Sequence, residues 1–297
     1  APLARVNAEL RERFGDRDAL RAALLHWKRV APDDPEPRIA LGAELLAAGD
    51  RKRALDEFRG LLDVGGDPVE ARLELARVLA DHDLLDEAEE AMRPIAARAP
   101  EHLEIARQLA SIYERPRATE STSLRAERNR QAEAHWRMVL SHPQADEEAR
   151  REARRHVVQL WRTSGRLEHE IAALEREREQ RPDDLTVARL LAEAYLAHDP
   201  HSPERALAIL ERAAHEGRDV EALTQLARVR RQAGDREGEI EILERLVQLD
   251  ARRSSRHLDR LVELSLELYR DEDALRYAAE AARRAPHDAA AHRRLAA

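Results

Sequence analysis

The 297-residue sequence predicts an all-α fold, an α-α superhelix of about eight helix-turn-helix repeats. Three observations carry that expectation. Strong helix formers, Ala, Leu, Glu and Arg, dominate, while glycine and proline number only 10 and 13. Small and large apolar residues recur together every 34 residues. Residues that stop and restart helices fall between the segments this recurrence marks out.

The first helix of a repeat is marked by Leu41-Gly42, Leu75-Ala76 and Leu109-Ala110, each followed three positions later by Leu45, Leu79 or Tyr113. A second helix is marked by Ala54 with Phe58 and by Ala88 with Met92, a small and a large residue one turn apart on one face. Ala132, Ala206 and Ala274 hold the same place further on. Between the two helices stand Gly49-Asp50, Gly165-Arg166 and Gly234-Asp235, where glycine can adopt the left-handed conformation that closes a helix. After the second helix come Pro32-Asp33-Asp34, Pro182-Asp183-Asp184 and Pro286-His287-Asp288, a stop followed by aspartates suited to cap the next start. Two helices cannot bury their apolar faces alone, so stacked pairs are expected to share one core through nearest-neighbour contacts. Phe58, Trp136, Trp161 and Tyr195 all fall at recurring positions and are assigned to that core.

The pattern resembles the tetratricopeptide repeat (TPR) family, whose signature places an aromatic, Leu-Gly, Tyr, then Ala, Phe and Pro over 34 residues. The resemblance covers essentially the whole chain, as a single solenoid over 1–297 with repeats at 1–34, 35–68, 69–102, 103–146, 147–184, 185–219, 220–254 and 255–288. Leu295-Ala296 restarts the recurrence, so a longer solenoid is expected. The leading aromatic is missing throughout. Glu170 and Glu239 replace the small residue of the second helix, and those two repeats are expected to pack less tightly.

Two segments break the period. From Ala88 to Ala132 the spacing is 44, and the surplus lies in a polar insertion near 115–124, expected as a mobile loop whose Thr119, Ser121, Thr122 and Ser123 sit near arginines. The second break, His198-Asp199-Pro200-His201-Ser202-Pro203, has a His-Asp-x-His spacing, but without further ligands it reads as a proline-bounded turn rather than a metal site. Pro94 lies inside a second helix, where a kink or early break is expected. The run from Asp146 to Arg155 reads as a solvated helix start with acids at its positive end.

Composition narrows the function. No cysteine is present, which excludes disulfides and thiolate metal sites. A net charge of -8, with both signs mixed throughout, gives no basic stripe for nucleic acid. A charged fraction of 37% leaves no run long and apolar enough for membrane insertion. All but two of the 51 basic residues are arginine, Lys28 and Lys52 being the exceptions, a bias that reads as GC-rich bacterial coding. No phosphate loop, nucleophile elbow or His-Glu-x-x-His motif is present, so the chain is expected to be no enzyme, with no catalytic residues and no cofactor. Cytoplasm and periplasm both stay open as the compartment.

Family resemblance implies a partner groove lined by the outward faces of the first helices. The matching positions are Arg77, Arg107, Arg155, Gln159, Arg189 and Arg228, with Ile39 and Leu73 toward the N-terminal end. Arginine forks suit carboxylates, so the expected partner is a protein or peptide with an acidic segment or surface. Lysine–asparagine grips on a C-terminal carboxylate are not expected, since asparagine occurs only at Asn7 and Asn129. The function expected is an interaction scaffold. Alternatives are a regulatory or sensing segment of a larger signalling enzyme, and a periplasmic assembly scaffold of an envelope or exopolysaccharide export system.

Overall fold

The computed structural model describes residues 17–64, 67–199, 203–215, 220–251 and 253–284. Among them every regular element is helical. The first helices of the hairpins are α2 (Glu36–Ala47), α4 (Pro68–Asp81), α6 (Leu103–Glu114), α8 (Glu147–Thr163), α10 (Leu185–His198), α12 (Val220–Gln232) and α14 (Ser254–Glu267). The second helices are α1 (Arg17–Val30), α3 (Arg51–Arg59), α5 (Leu85–Arg98), α7 (Thr122–Ser141), α9 (Leu167–Gln180), α11 (Glu204–His215), α13 (Arg236–Leu249) and α15 (Asp271–Arg284). A 3-10 turn, Gly60–Asp63, prolongs α3. The expected turn at 200–202, the caps at 286–288 and the restart at 295–296 lie outside the described residues, as does the start of the first repeat. Contacts divide the chain into two compact units, Ala1–Asp146 and Glu147–Ala297.

In unit 1, α1–α7, the recurring small residues sit where helices cross: Ala54, Ala76, Ala88, Ala110 and Ala132 are all fully buried. Phe58 and Met92 fill the space beside them in one apolar cluster with Leu75, Leu79 and Ile95. Gly42 shows why small residues are required there, because a β-carbon at that position would stand 2.3 Å from the Phe58 ring. Trp27 closes the N-terminal side, packing with Leu20, Leu24 and Leu41 while its indole N–H donates to Asp34 at 3.0 Å. The α5 helix runs through Pro94 to Arg98 without the expected break. Arg72 donates to the Ala91 carbonyl nearby, at 3.5 Å.

The 115–124 insertion differs from the expected mobile loop. Only residues 115–121 are loop; Ser121 then accepts from the Leu124 N–H at 3.2 Å and starts α7, so the remaining surplus lengthens that helix. The loop is pinned to the start of α5, because its arginines face acids there. Arg117 lies 2.8 Å from Asp86 and 3.1 Å from Glu89. Arg128 joins Glu89 at 3.3 Å and Glu120 at 2.8 Å, and Arg115 engages Asp83.

In unit 2, α8–α15, Trp161, Leu191, Leu210, Leu223, Leu226 and Leu261 make up the apolar interior. Of the aspartates foreseen as caps, Asp184 accepts from Thr186 and Val187, at 3.0 and 3.2 Å. Asp235 takes the Gly238 N–H at 2.9 Å, a bond that holds its carboxyl below the usual range. Glu239, expected to loosen its repeat, is instead 1% exposed. Arg231 reaches it at 2.7 Å and Arg260 at 3.1 and 3.2 Å, so an ion cluster occupies the place of a small apolar residue. Those bonds hold the Arg260 proton more tightly than in a free arginine. Glu170, only partly buried, pairs with Arg166 one turn earlier, at 3.1 Å.

Candidate functional site

Each second helix packs on the first helix of the following hairpin within its unit, and first helices also meet directly, α4 with α6 and α8 with α10. These contacts set the paired first helices side by side within each unit. All six sequence-predicted residues lie on these helices, in unit 1 at Arg77 (α4) and Arg107 (α6), and in unit 2 at Arg155 and Gln159 (α8), Arg189 (α10) and Arg228 (α12).

Their surroundings differ. Arg77 is exposed and gripped by Glu74 at 2.5 and 3.0 Å, with Asp81 at 3.4 Å. The Glu74 hydrogen bonds raise its pKa. Arg107 pairs with Glu104 at 2.8 Å. Both are pairs within one helix, three or four residues apart, that a solvated face makes readily.

In unit 2 the pairing runs between repeats. Arg228 on α12 meets Glu193 on α10 at 2.5 Å, and Gln225 donates both to Glu193 and to the Arg189 carbonyl, each at 3.2 Å. Arg189 is buried and reaches Glu147 on α8 at 3.4 Å. Glu221, also buried, receives Arg151 at 3.1 and 2.8 Å and Arg154 at 2.8 Å. Burial pushes the Arg154 guanidinium's pKa down, and Glu221 pulls it part of the way back. None of these carboxylate partners was foreseen from the sequence.

Arg155 and Gln159 stand apart. Both are exposed, one turn apart on α8, and neither side chain finds a partner among the described residues. At the N-terminal end of the unit 1 wall, Ile39 and Leu73 are partly buried against the core. Among the described residues no group of three His, Asp or Glu side chains is placed to hold a metal ion, and no helix is long and apolar enough to cross a membrane. His198 and Asp199 are described, but His201 is not.

No protein-family model matches the sequence, and no curated protein matches it. Solved structures do match in fold. Naa15/Naa10 bound to HypK-THB superposes with a TM-score of 0.51 at 16% identity, over 91% of this chain and 46% of that one. The chain thus spans just under half the length of that structure. A tetratricopeptide repeat protein from Parabacteroides merdae gives a TM-score of 0.38 at 14% identity, covering 84% of this chain and 93% of that one. PilW, a type IV pilus biogenesis factor, gives 0.41 at 15%, covering 78% and 98%. The fold is therefore all-α and of the TPR-like helical-repeat class.

Proposed function

We propose that the chain is a non-enzymatic scaffold that holds a partner protein or peptide against the wall of first helices, with Arg77, Arg107, Arg155, Gln159, Arg189 and Arg228 as its groove positions. The observation that carries this reading is the exposed Arg155–Gln159 pair, polar side chains on the wall that the stack itself does not use. Side-chain order there serves no internal contact, and an unpaired guanidinium is free to take a carboxylate bidentately. The partner chemistry is therefore an acidic segment. Arg77 and Arg107 would have to exchange a neighbouring carboxylate for the partner's, and the buried Arg189 would shape the wall rather than touch a ligand. A net charge of -8 and mixed signs support a protein partner over a nucleic acid. No cofactor enters this reading.

Fluorescence anisotropy with a labelled poly-glutamate peptide tests it. Binding should weaken as salt rises and fall severalfold in Arg155→Glu/Gln159→Glu, with a smaller loss in Arg77→Glu/Arg107→Glu. Equal affinity for all three proteins would reject the groove assignment.

A further inference from the structure

In unit 2 one carboxylate joins repeats that are not neighbours. Glu221 lies in the first turn of α12, and its arginine partners lie on α8, 70 and 67 residues away, with the whole α10–α11 hairpin between them in sequence. Stacked hairpins ordinarily touch only the adjacent repeat. Glu221 is 3% exposed and Arg154 1%, yet the Arg151 side chain keeps 30% of its surface toward water. The geometry is that of carboxylate recognition. Arg151 presents its Nε and one terminal nitrogen to the two carboxylate oxygens, and Arg154 adds a third donor. Such charge-assisted forks are roughly twice as strong as neutral hydrogen bonds. The anion also sits at the positive end of α12.

We propose that Arg151 and Arg154 form a carboxylate-receiving site whose resident ligand is the chain's own Glu221, a clasp that couples α12 to α8 and that an incoming carboxylate opens by taking Glu221's place. Arg151, the partly exposed member, is where the incoming group makes first contact. Arg154 is buried and cannot be left without an anion, because uncompensated buried charge is strongly unfavourable. Release of Glu221 is therefore tied to capture of another anion, and capture frees α12 from α8. The clasp stands on its own geometry; only its opening by a partner rests on the scaffold reading above.

Acetate is the simplest probe. Glu221→Ala empties the slot, whereas Glu221→Gln leaves it filled by an uncharged amide. Thermal unfolding of the full chain is compared in sodium acetate and sodium chloride at equal ionic strength. Glu221→Ala should melt lower than the parent in chloride by about 5 °C or more. Acetate should restore at least half of that loss, with no comparable effect on the parent or on Glu221→Gln. Hydrogen exchange should accelerate about tenfold in both α8 and α12 of Glu221→Gln, while α14 stays as it was. Acetate acting alike on all three proteins, or faster exchange confined to α12 and its neighbours, overturns the clasp. If the alanine variant does not fold, exchange in the glutamine variant decides alone. Poly-glutamate added to the parent should then speed exchange in the first turn of α12. Binding without that acceleration keeps the scaffold and rejects the exchange of ligands, whereas no binding at all fails the scaffold reading and leaves the acetate result as the measure of the site.

Discussion

At the crossing of first and second helices, unit 1 carries Ala54, Ala88 and Ala132, each fully buried, whereas unit 2 carries Ala206 and Ala274 but also Glu170 and Glu239. The contrast extends to the interior. Of the nine buried polar or charged residues described, Glu133 alone belongs to unit 1, and Arg154, Arg189, Glu221, Gln225, Glu239, Ser254, His257 and Ser265 belong to unit 2. Unit 1 has an ion cluster too, at the 115–121 loop, where the Arg117, Arg128 and Glu120 side chains keep only 10%, 13% and 4% of their surface exposed. That cluster clamps an inserted loop and does not replace a small residue at a helix crossing. Unit 2 builds its clusters into the joints. Apolar packing is close but undirected, while a buried carboxylate between arginines has few acceptable positions, so the two units tolerate change at the same repeat position very differently.

Reciprocal substitution at that position gives the largest expected effect. Ala88→Glu places a carboxylate in an apolar cluster of Leu75, Leu79 and Met92 and should destabilise by about 4–5 kcal/mol in denaturant unfolding, the range for unpaired buried charge. Glu239→Ala should lose less, about 1–3 kcal/mol. Its partners Arg231 and Arg260 keep 53% and 22% of their side-chain surface exposed and can turn to water. Equal losses would mean that the two units do not differ in the way described.

Within unit 1, shape should dominate. Phe58→Ala should lose about 3–5 kcal/mol by opening a cavity, and Gly42→Ala about 1–3 kcal/mol by overpacking against the same ring. In the double variant the added methyl enters the space that the ring vacates, so the two losses should not add. Strict additivity, measured by a double-mutant cycle, would show that Gly42 is required for some reason other than Phe58.

This division explains what could be read in advance. The recurrence at 34 residues located the helices of both units, since burial of Ala54, Phe58, Ala206 or Leu210 depends only on their place in a local pattern. Asp184 was legible as a cap because capping acts over two or three residues. The pairing of Glu221 with Arg151 was not, because 59 acidic and 51 basic residues offer many equivalent pairs and no period selects one 70 residues distant. The candidate wall was legible in the same limited way. Its helices followed from the repeat, but the carboxylates that occupy Arg77, Arg107, Arg189 and Arg228 depend on side-chain geometry across and along helices.

Alkaline pH should act on unit 2 through Tyr195 and Tyr277. Burial, and then hydrogen bonds to Glu175 and Glu244, push both phenols up to about 12. An unfolded chain ionises tyrosine near pH 10. The folded-state value is the higher one, so the stabilisation is complete below about pH 10 and is lost as pH rises from there toward 12. Stability measured at pH 9 and pH 11 should fall less in Tyr195→Phe/Tyr277→Phe than in the parent. An identical fall would show that these phenols do not govern the alkaline limb.

The smallest effect concerns a turn that both units share. Gly49, Gly165 and Gly234 close first helices with φ between 68° and 82°, and the equivalent residues elsewhere are Asp83, at 59°, and Tyr269, at 58°. No sequence signal marks those two, because glycine is the residue that ordinarily announces the left-handed conformation. A tyrosine there is strained by about 1–2 kcal/mol, and with 92% of Tyr269 exposed its ring recovers little by packing. Tyr269→Gly relieves the strain but gives the unfolded chain more freedom, so a net gain of about 0.5–1 kcal/mol is expected. Asp83→Gly should bring no such gain. Aspartate tolerates the left-handed region better, and Arg115 engages its carboxylate to hold the inserted loop. If Tyr269→Gly instead lowers stability, the ring must make contacts in solution that its exposed position in the folded chain does not show.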